Sequence, residues 1–152
     1  MIKVEIVVTL EQAQEVRLIR NECRMFMTGS TDVISREQQR EFFDRRIATG
    51  EVNALLIREE PYVVAYGLLF PDEEHSDRGW LSAGVIGSSR GYGYGRAIIE
   101  SITQMGLDRF GKVMGEARAD NSASIRTCSR VGYRVTNYYT KNGVPMVLLE
   151  TP

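Results

Sequence analysis

Seven residues, Arg90-Gly91-Tyr92-Gly93-Tyr94-Gly95-Arg96, hold the densest chemical signal in the chain. An apolar run, Trp80 to Ile86, precedes them, and an apolar-periodic stretch, Ala97 to Phe110, follows. Glycines between a strand and a helix allow a tight turn that gathers backbone N–H groups at one point. The helix start adds unpaired N–H groups and the positive end of its dipole. Together they make an anion cradle whose natural occupant is a phosphate or diphosphate. Two named phosphate motifs do not fit. A P-loop needs Gly-Lys followed by Ser or Thr, which the chain lacks. A dinucleotide fingerprint needs its third glycine three positions after the second, whereas Gly93 and Gly95 are two apart and Arg96 follows. The pattern is Arg-x-x-Gly-x-Gly, from Arg90, Gly93 and Gly95.

The elements that must position this turn can be read from periodicity and punctuation. Residues 2–8 alternate as a strand. Thr9 and Gln12 form a capping box, and Ala13, Val16, Ile19, Cys23 and Phe26 recur at helical spacing until Gly29-Ser30. Ser35 and Gln38 make a second box, with Phe42, Phe43 and Ile47 as the apolar face and Gly50 as a C-terminal stop. Val52 to Ile57 and Tyr62 to Phe70 read as strands around a Glu59-Glu60-Pro61 turn. A polar loop, Pro71 to Gly79, leads to the fourth strand, Trp80 to Ile86. A helix follows over Gly93 to Phe110, with Ile98, Ile102 and Met105 on one face. The fifth strand is Lys112 to Ala117. Asn121 opens a last helix, with Ile125, Cys128 and Val131 inward and Gly132 as its stop. Tyr133 to Tyr139 and Val144 to Leu149 flank Asn142-Gly143, a two-residue hairpin signal. This order predicts a mixed α/β (α+β) fold: a mostly antiparallel sheet of six to seven strands with helices on both faces.

Composition narrows the function. At 152 residues and 43% hydrophobic, one domain over 1–152 with a sizeable core is expected. A formal net charge of −1 without a basic block argues against a nucleic-acid partner. No apolar run approaches the roughly 20 residues of a membrane helix, and the N-terminus lacks a leader pattern. Cys23, Cys128 and the single histidine, His75, have no metal or redox spacing. A cytoplasmic protein with reduced thiols and no metal is expected.

Two separated motifs then line up. The first is Val85-x-Gly87-x-x-Arg90-Gly91-x-Gly93-x-Gly95. The second is Glu116-Ala-Arg-Ala-Asp120-Asn121-x-x-Ser124, then Cys128, then Gly132-Tyr133. With the element order, these make the chain resemble the GNAT superfamily of acetyl-CoA-dependent N-acetyltransferases. The match runs from about Val52 to Leu149 and is tightest from Trp80 to Tyr133. Two positions depart from the family pattern. Gly87 stands where Pro is frequent. Cys128 stands where a Tyr often protonates the departing thiolate.

The resemblance implies direct attack of a neutral amine on acetyl-CoA in a ternary complex. Backbone groups of Gly84, Val85 and Ile86 would then hold the pantetheine arm. The diphosphate would sit on Arg90, Gly91, Tyr92, Gly93, Tyr94, Gly95 and Arg96, with Asn121 and Ser124 as further cofactor contacts. Asn121 also reads as a helix N-cap. The Val85 N–H is the expected oxyanion donor. An alkylamine with pKa near 10 is neutral in about one molecule per thousand at pH 7, so a base is expected. Glu116 is the candidate, beside Glu74, His75 and Asp77 in the preceding loop. Cys128 is the candidate acid, beside Tyr133, Tyr138 and Tyr139, and reads equally as a small core residue.

The acceptor is less legible. Arg20, Asn21 and Arg24, with Glu41, are candidate acceptor contacts, and a solvated polar helix face is the competing reading. A small-molecule primary amine, such as an amino-sugar, is the favoured acceptor. A protein N-terminus or lysine is the second, and a non-catalytic acyl-CoA-binding module the third. A homodimer is the assembly considered.

Overall fold

The computed structural model describes residues 2–152. Both capping boxes form. The Thr9 side-chain oxygen accepts the Gln12 N–H at 3.2 Å, and the Gln12 amide oxygen accepts the Thr9 N–H at 3.0 Å, which starts α1 (Leu10–Glu22). Ser35 and Gln38 repeat the arrangement at α2 (Arg36–Phe42). Periodicity through Phe26 overran α1. The Cys23 N–H closes that helix on the Ile19 carbonyl, and Arg24–Phe26 tightens into a 3₁₀ turn. After α2, Phe43–Ile47 widens into one π-helical turn. The helices α3 (Tyr94–Phe110) and α4 (Ser122–Val131) both end on left-handed glycines, Gly111 and Gly132.

The strands are β1 (Val4–Ile6), β2 (Asn53–Glu59), β3 (Tyr62–Pro71), β4 (Gly79–Val85), β5 (Val113–Arg118), β6 (Arg134–Lys141) and β7 (Val144–Glu150). They form one seven-stranded sheet in the order β1-β2-β3-β4-β5-β7-β6. Every pairing is antiparallel except β4 with β5. The hairpin β6–β7 turns at Asn142 and Gly143, with φ of 52° and 77°. Positive φ at both positions suits the right-handed strand twist.

Strand alternation divides the core in two. Ala54, Leu56 and Tyr66 face α1 with Ala13, Val16 and Ile19. Leu55, Ile57 and Leu69 face α3 with Ile98 and Ile102. Both sheet faces are covered, so the central strands are continuously apolar rather than alternating. Among the described residues, no helix is long and apolar enough to cross a membrane.

Candidate active site

Strands β4 and β5 pair only at Gly79↔Val113 and Trp80↔Met114. Beyond Trp80 they separate, because β5 stays paired to β7 from Met114 to Arg118 while β4 stays paired to β3 through Val85. The wedge between them opens a cavity of ≈ 610 Å³, walled by Leu81 to Val85, by Gly115 to Ala117 and by α4 residues that include Cys128. The edge of β4 facing the wedge carries unpaired backbone groups. The Gly79 N–H donates to the Lys112 carbonyl of the β5 side, and the Ile86 N–H donates to Val64 of β3. Successive residues of a strand point their N–H groups to opposite sides. Leu81, Ala83 and Val85 therefore offer theirs to the wedge, and Gly84 and Ile86 offer theirs to β3. Of the three expected pantetheine contacts, Val85 alone presents its N–H there. Gly84 instead leaves room for its neighbours, since a Cβ on it would lie 2.7 Å from Tyr66 Cε1 and 3.2 Å from Cys23 Sγ.

The glycine turn closes one end of the wedge. Gly91 and Gly93 have φ of +88° and +86°, a region costly for residues with a Cβ. Gly93 is the N-cap of α3 and supplies no side-chain cap, so the first-turn N–H groups remain available. The cavity wall includes Arg90, Gly91, Gly93, Tyr94, Gly95 and Arg96, joined from α4 by Asn121, Ser124 and Arg130. Tyr92 instead points outward, 71% exposed. The Asn121 side-chain oxygen caps α4 by accepting the Ser124 N–H at 3.2 Å; its amide NH₂ takes no part in the cap. The Arg90 Nε donates to the Val85 carbonyl at 3.3 Å, and its guanidinium lies 5.4 Å from the Phe26 ring centroid. These are the donors a diphosphate needs, and the open β4 edge suits the amides of a pantetheine arm.

Glu116 lies on the wedge wall toward the α1 side of the sheet. The Tyr139 hydroxyl donates to its Oε2, and the Lys141 Nζ donates to its Oε1 at 2.9 Å. Burial pushes the Glu116 pKa up, but Tyr139, Lys141 and the Thr28 hydroxyl outweigh that effect, and it lies below the usual carboxylate value. Glu116 is thus an ionised carboxylate held from three sides.

Several expected residues stand elsewhere. Arg20 donates to the carbonyls of Asp32 and Ser30, and Arg24 to that of Thr31. Asn21 makes a paired contact with Ile34, donating to its carbonyl at 2.9 Å and accepting its N–H at 2.8 Å. None of the three lines the wedge. They pin the 28–34 loop to α1, and Glu41 pairs on the surface with Arg45. The cleft wall from this segment consists of Cys23, Phe26, Met27 and Thr28. The same polar periodicity serves a loop, a ligand or solvent, so spacing alone does not separate them. Glu74, His75 and Asp77 belong to the loop before β4, at the closed end of the wedge. Val85 is about 20 Å away along the strand. Asp72 organises that loop, accepting from Trp80 Nε1 at 2.7 Å and from the Glu74 and His75 N–H groups. Tyr133 is buried against Thr103, Oη to Oγ1 2.7 Å, and Tyr138 is 75% exposed. Cys128 is 4% exposed within the α3–α4 core, and burial pushes its thiol up to about 11. Among the described residues, no cluster of three His, Cys, Asp or Glu side chains could hold a metal ion.

A sheet that splays beside a glycine-led helix start makes a cleft with an anion cradle at one end. The sequence matches the model of the acetyltransferase (GNAT) family over residues 15–133. The chain belongs to the GNAT acetyltransferase family. No curated protein matches it. Solved structures share the fold at low identity. The ribosomal-protein-alanine N-acetyltransferase of Brucella melitensis is 17% identical with a TM-score of 0.85, covering 98% of both chains. The Salmonella typhimurium protein yncA, solved with its cofactor acetyl-CoA, is 16% identical with a TM-score of 0.84, covering 98% of this chain and 92% of that one. A phosphinothricin acetyltransferase from Sinorhizobium meliloti in complex with AcCoA is 13% identical with a TM-score of 0.86, covering 99% of this chain and 88% of that one.

Proposed function

We infer that residues 1–152 act as one N-acetyltransferase domain, moving an acetyl group from acetyl-CoA to the primary amine of a small molecule in a ternary complex. One observation carries this reading. A single cavity joins the Gly93-led start of α3, the open edge of β4 at Val85 and the carboxylate of Glu116. Acetyl-CoA supplies the activated thioester. The Arg90–Arg96 turn binds its diphosphate, with Arg90 and Arg96 adding charge, and Asn121 and Ser124 flank the arm. The Val85 N–H donates to the thioester oxygen as it gains charge, a contact typically worth about 2.7–4 kcal/mol. Glu116 takes the proton shed by the acceptor nitrogen as the N–C bond forms and the C–S bond breaks, directly or through one water. Such a base typically contributes about 10²–10⁴-fold. The CoA sulfur leaves as a thiolate of pKa about 8.5 and needs little help. Cys128, near 11, is a weaker acid than that thiol, so we assign it packing rather than proton donation.

The small-acceptor reading rests on the clasp over Glu116. Thr28 approaches from the loop after α1, and Tyr139 and Lys141 from the β6–β7 hairpin, so three side chains crowd the carboxylate and favour a small acceptor beside it. A peptide acceptor is the second reading, favoured by Met25 and Phe26, which are 60% and 50% exposed beside the mouth. A thiol-release assay with acetyl-CoA separates the two. The panel holds amino-sugars, phosphinothricin, simple alkylamines and peptides with free N-termini. Turnover of small amines is expected. Turnover of peptides alone would favour the second reading, and cofactor binding without any turnover would overturn both.

A further inference from the structure

Strand β6 carries an extra residue at Thr136. Val135 is opposite Leu149 and Asn137 is opposite Leu148, so one residue of β6 has no counterpart in β7. A one-residue slip moves every later side chain to the other face of the sheet. Val135 lies on the face packed by α3 and α4, beside Leu149. Without the bulge, Asn137, Tyr139 and Lys141 would follow it there. With the bulge, Tyr139 is opposite Met146 and Lys141 opposite Val144. Met146 is in turn opposite Arg118, two residues from Glu116 on β5. Tyr139 and Lys141 therefore share the face of Glu116 and reach it across β7. The Thr136 hydroxyl anchors the bulge by donating to the Glu150 carboxylate.

We propose that Tyr139 is a positioning residue for acetyl transfer: delivered by the Thr136 bulge and assisted by Lys141, it orients the Glu116 carboxylate and keeps it ionised. This rests on Glu116 being the base. The geometry supports the role in three ways. Tyr139 and Lys141 occupy different oxygens of Glu116, which fixes the plane of the carboxylate. A carboxylate offers about four acceptor positions, so Tyr139, Lys141 and Thr28 leave one for the acceptor nitrogen or its water. The Tyr139 pKa is raised, by burial first and then by donation to Glu116 and the nearby negative charge. Its hydroxyl thus stays a donor through the working pH range and is unsuited to act as the acid. The groups facing Glu116 are Tyr139 and Lys141 from β6 and Thr28 from the loop after α1.

The test is the pH dependence of kcat/KM for the best amine of the panel, at saturating acetyl-CoA. In the wild type, the rate falls tenfold per pH unit below the amine pKa, and falls more steeply once Glu116 is protonated. In Tyr139→Phe, burial acts with one fewer opposing donor, so that break should move up by about one pH unit. Lys141→Met, at a more exposed side chain, should move it the same way and serves if Tyr139→Phe does not fold. Acetyl-CoA thermal stabilisation should persist in both. Glu116→Gln separates the two levels of the claim. Undiminished turnover in Glu116→Gln would remove Glu116 as the base and the proposal with it. Loss of turnover there, with an unmoved break in Tyr139→Phe and Lys141→Met, would leave the base standing and overturn the positioning role.

Discussion

The Lys141 ammonium lies 2.9 Å from Glu116 Oε1 although strand β7 runs between their two strands. The contact exists because both long side chains stand on the same face and lean over β7. The bulge at Thr136 puts Lys141 on that face. Deleting Thr136 removes the unpaired residue, so Asn137 follows Val135 in plain alternation and Tyr139 and Lys141 keep the face of Glu116. The variant is expected to bind acetyl-CoA, read as a rise in Tm, and to retain its turnover. Lost turnover with intact cofactor binding would show that the local geometry of the bulge, and not the facing of Tyr139 and Lys141, matters.

The cradle can be tested without straining the backbone. Gly93, at φ +86°, is a poor choice, because any side chain there costs about 1–2 kcal/mol by itself. Gly95 lies inside α3, and its added Cβ would make an ordinary contact, 3.6 Å from Val85 Cγ2. Gly95→Val should fold, yet project into the wedge beside β4. Thermal stabilisation by acetyl-CoA should shrink or vanish. An undiminished shift would place the cofactor elsewhere.

Asn21 should act through the loop it holds. Asn21→Leu removes both contacts with Ile34 and leaves its part-buried N–H unpaired, while Arg17 still reaches its carbonyl at 3.4 Å, a loss of about 1 kcal/mol. Hydrogen exchange at the 30–34 amides should accelerate, and KM for the amine should rise because the pinned segment carries Phe26, Met27 and Thr28 to the cleft. A lower Tm with unchanged exchange in that segment would argue against pinning.

Cys128→Ala should cost about 1 kcal/mol of stability for the lost sulfur in the core and leave the pH profile of turnover unchanged. A fall in kcat confined to one limb of the profile would restore the thiol as a proton donor.

Asp72 offers a pH-dependent test of stability. Its pKa is depressed well below the usual carboxylate range, first by the Trp80 indole N–H and then by the backbone N–H groups of Glu74 and His75. A group whose folded pKa is lowered stabilises the fold above its unfolded pKa, near 3.9, and that contribution fades as pH falls toward the folded value. Asp72→Asn should therefore lie furthest below the wild type at pH 6–7, with the gap narrowing below pH 4. A pH-independent gap would mean that the hydrogen bonds matter and the charge does not.

Local signals were sufficient wherever a short stretch sets its own geometry. The two capping boxes, the Gly132 stop, the Asn142-Gly143 turn and the glycine turn before α3 depend on contacts within a few residues, and each was readable from the letters. The element order that follows from them also carried the mixed sheet and the family. Long-range contacts decided the rest. Arg20, Asn21 and Arg24 formed a polar helix stripe in the sequence, and folding alone showed that a loop seven to thirteen residues later occupies it. The divergence of β4 from β5 depends on what each pairs with on its other side. The companions of Glu116 depend on one unpaired residue in β6. Side-chain facing alternates with every residue, so a single insertion reverses it, and only the register against β7 reveals that this has happened.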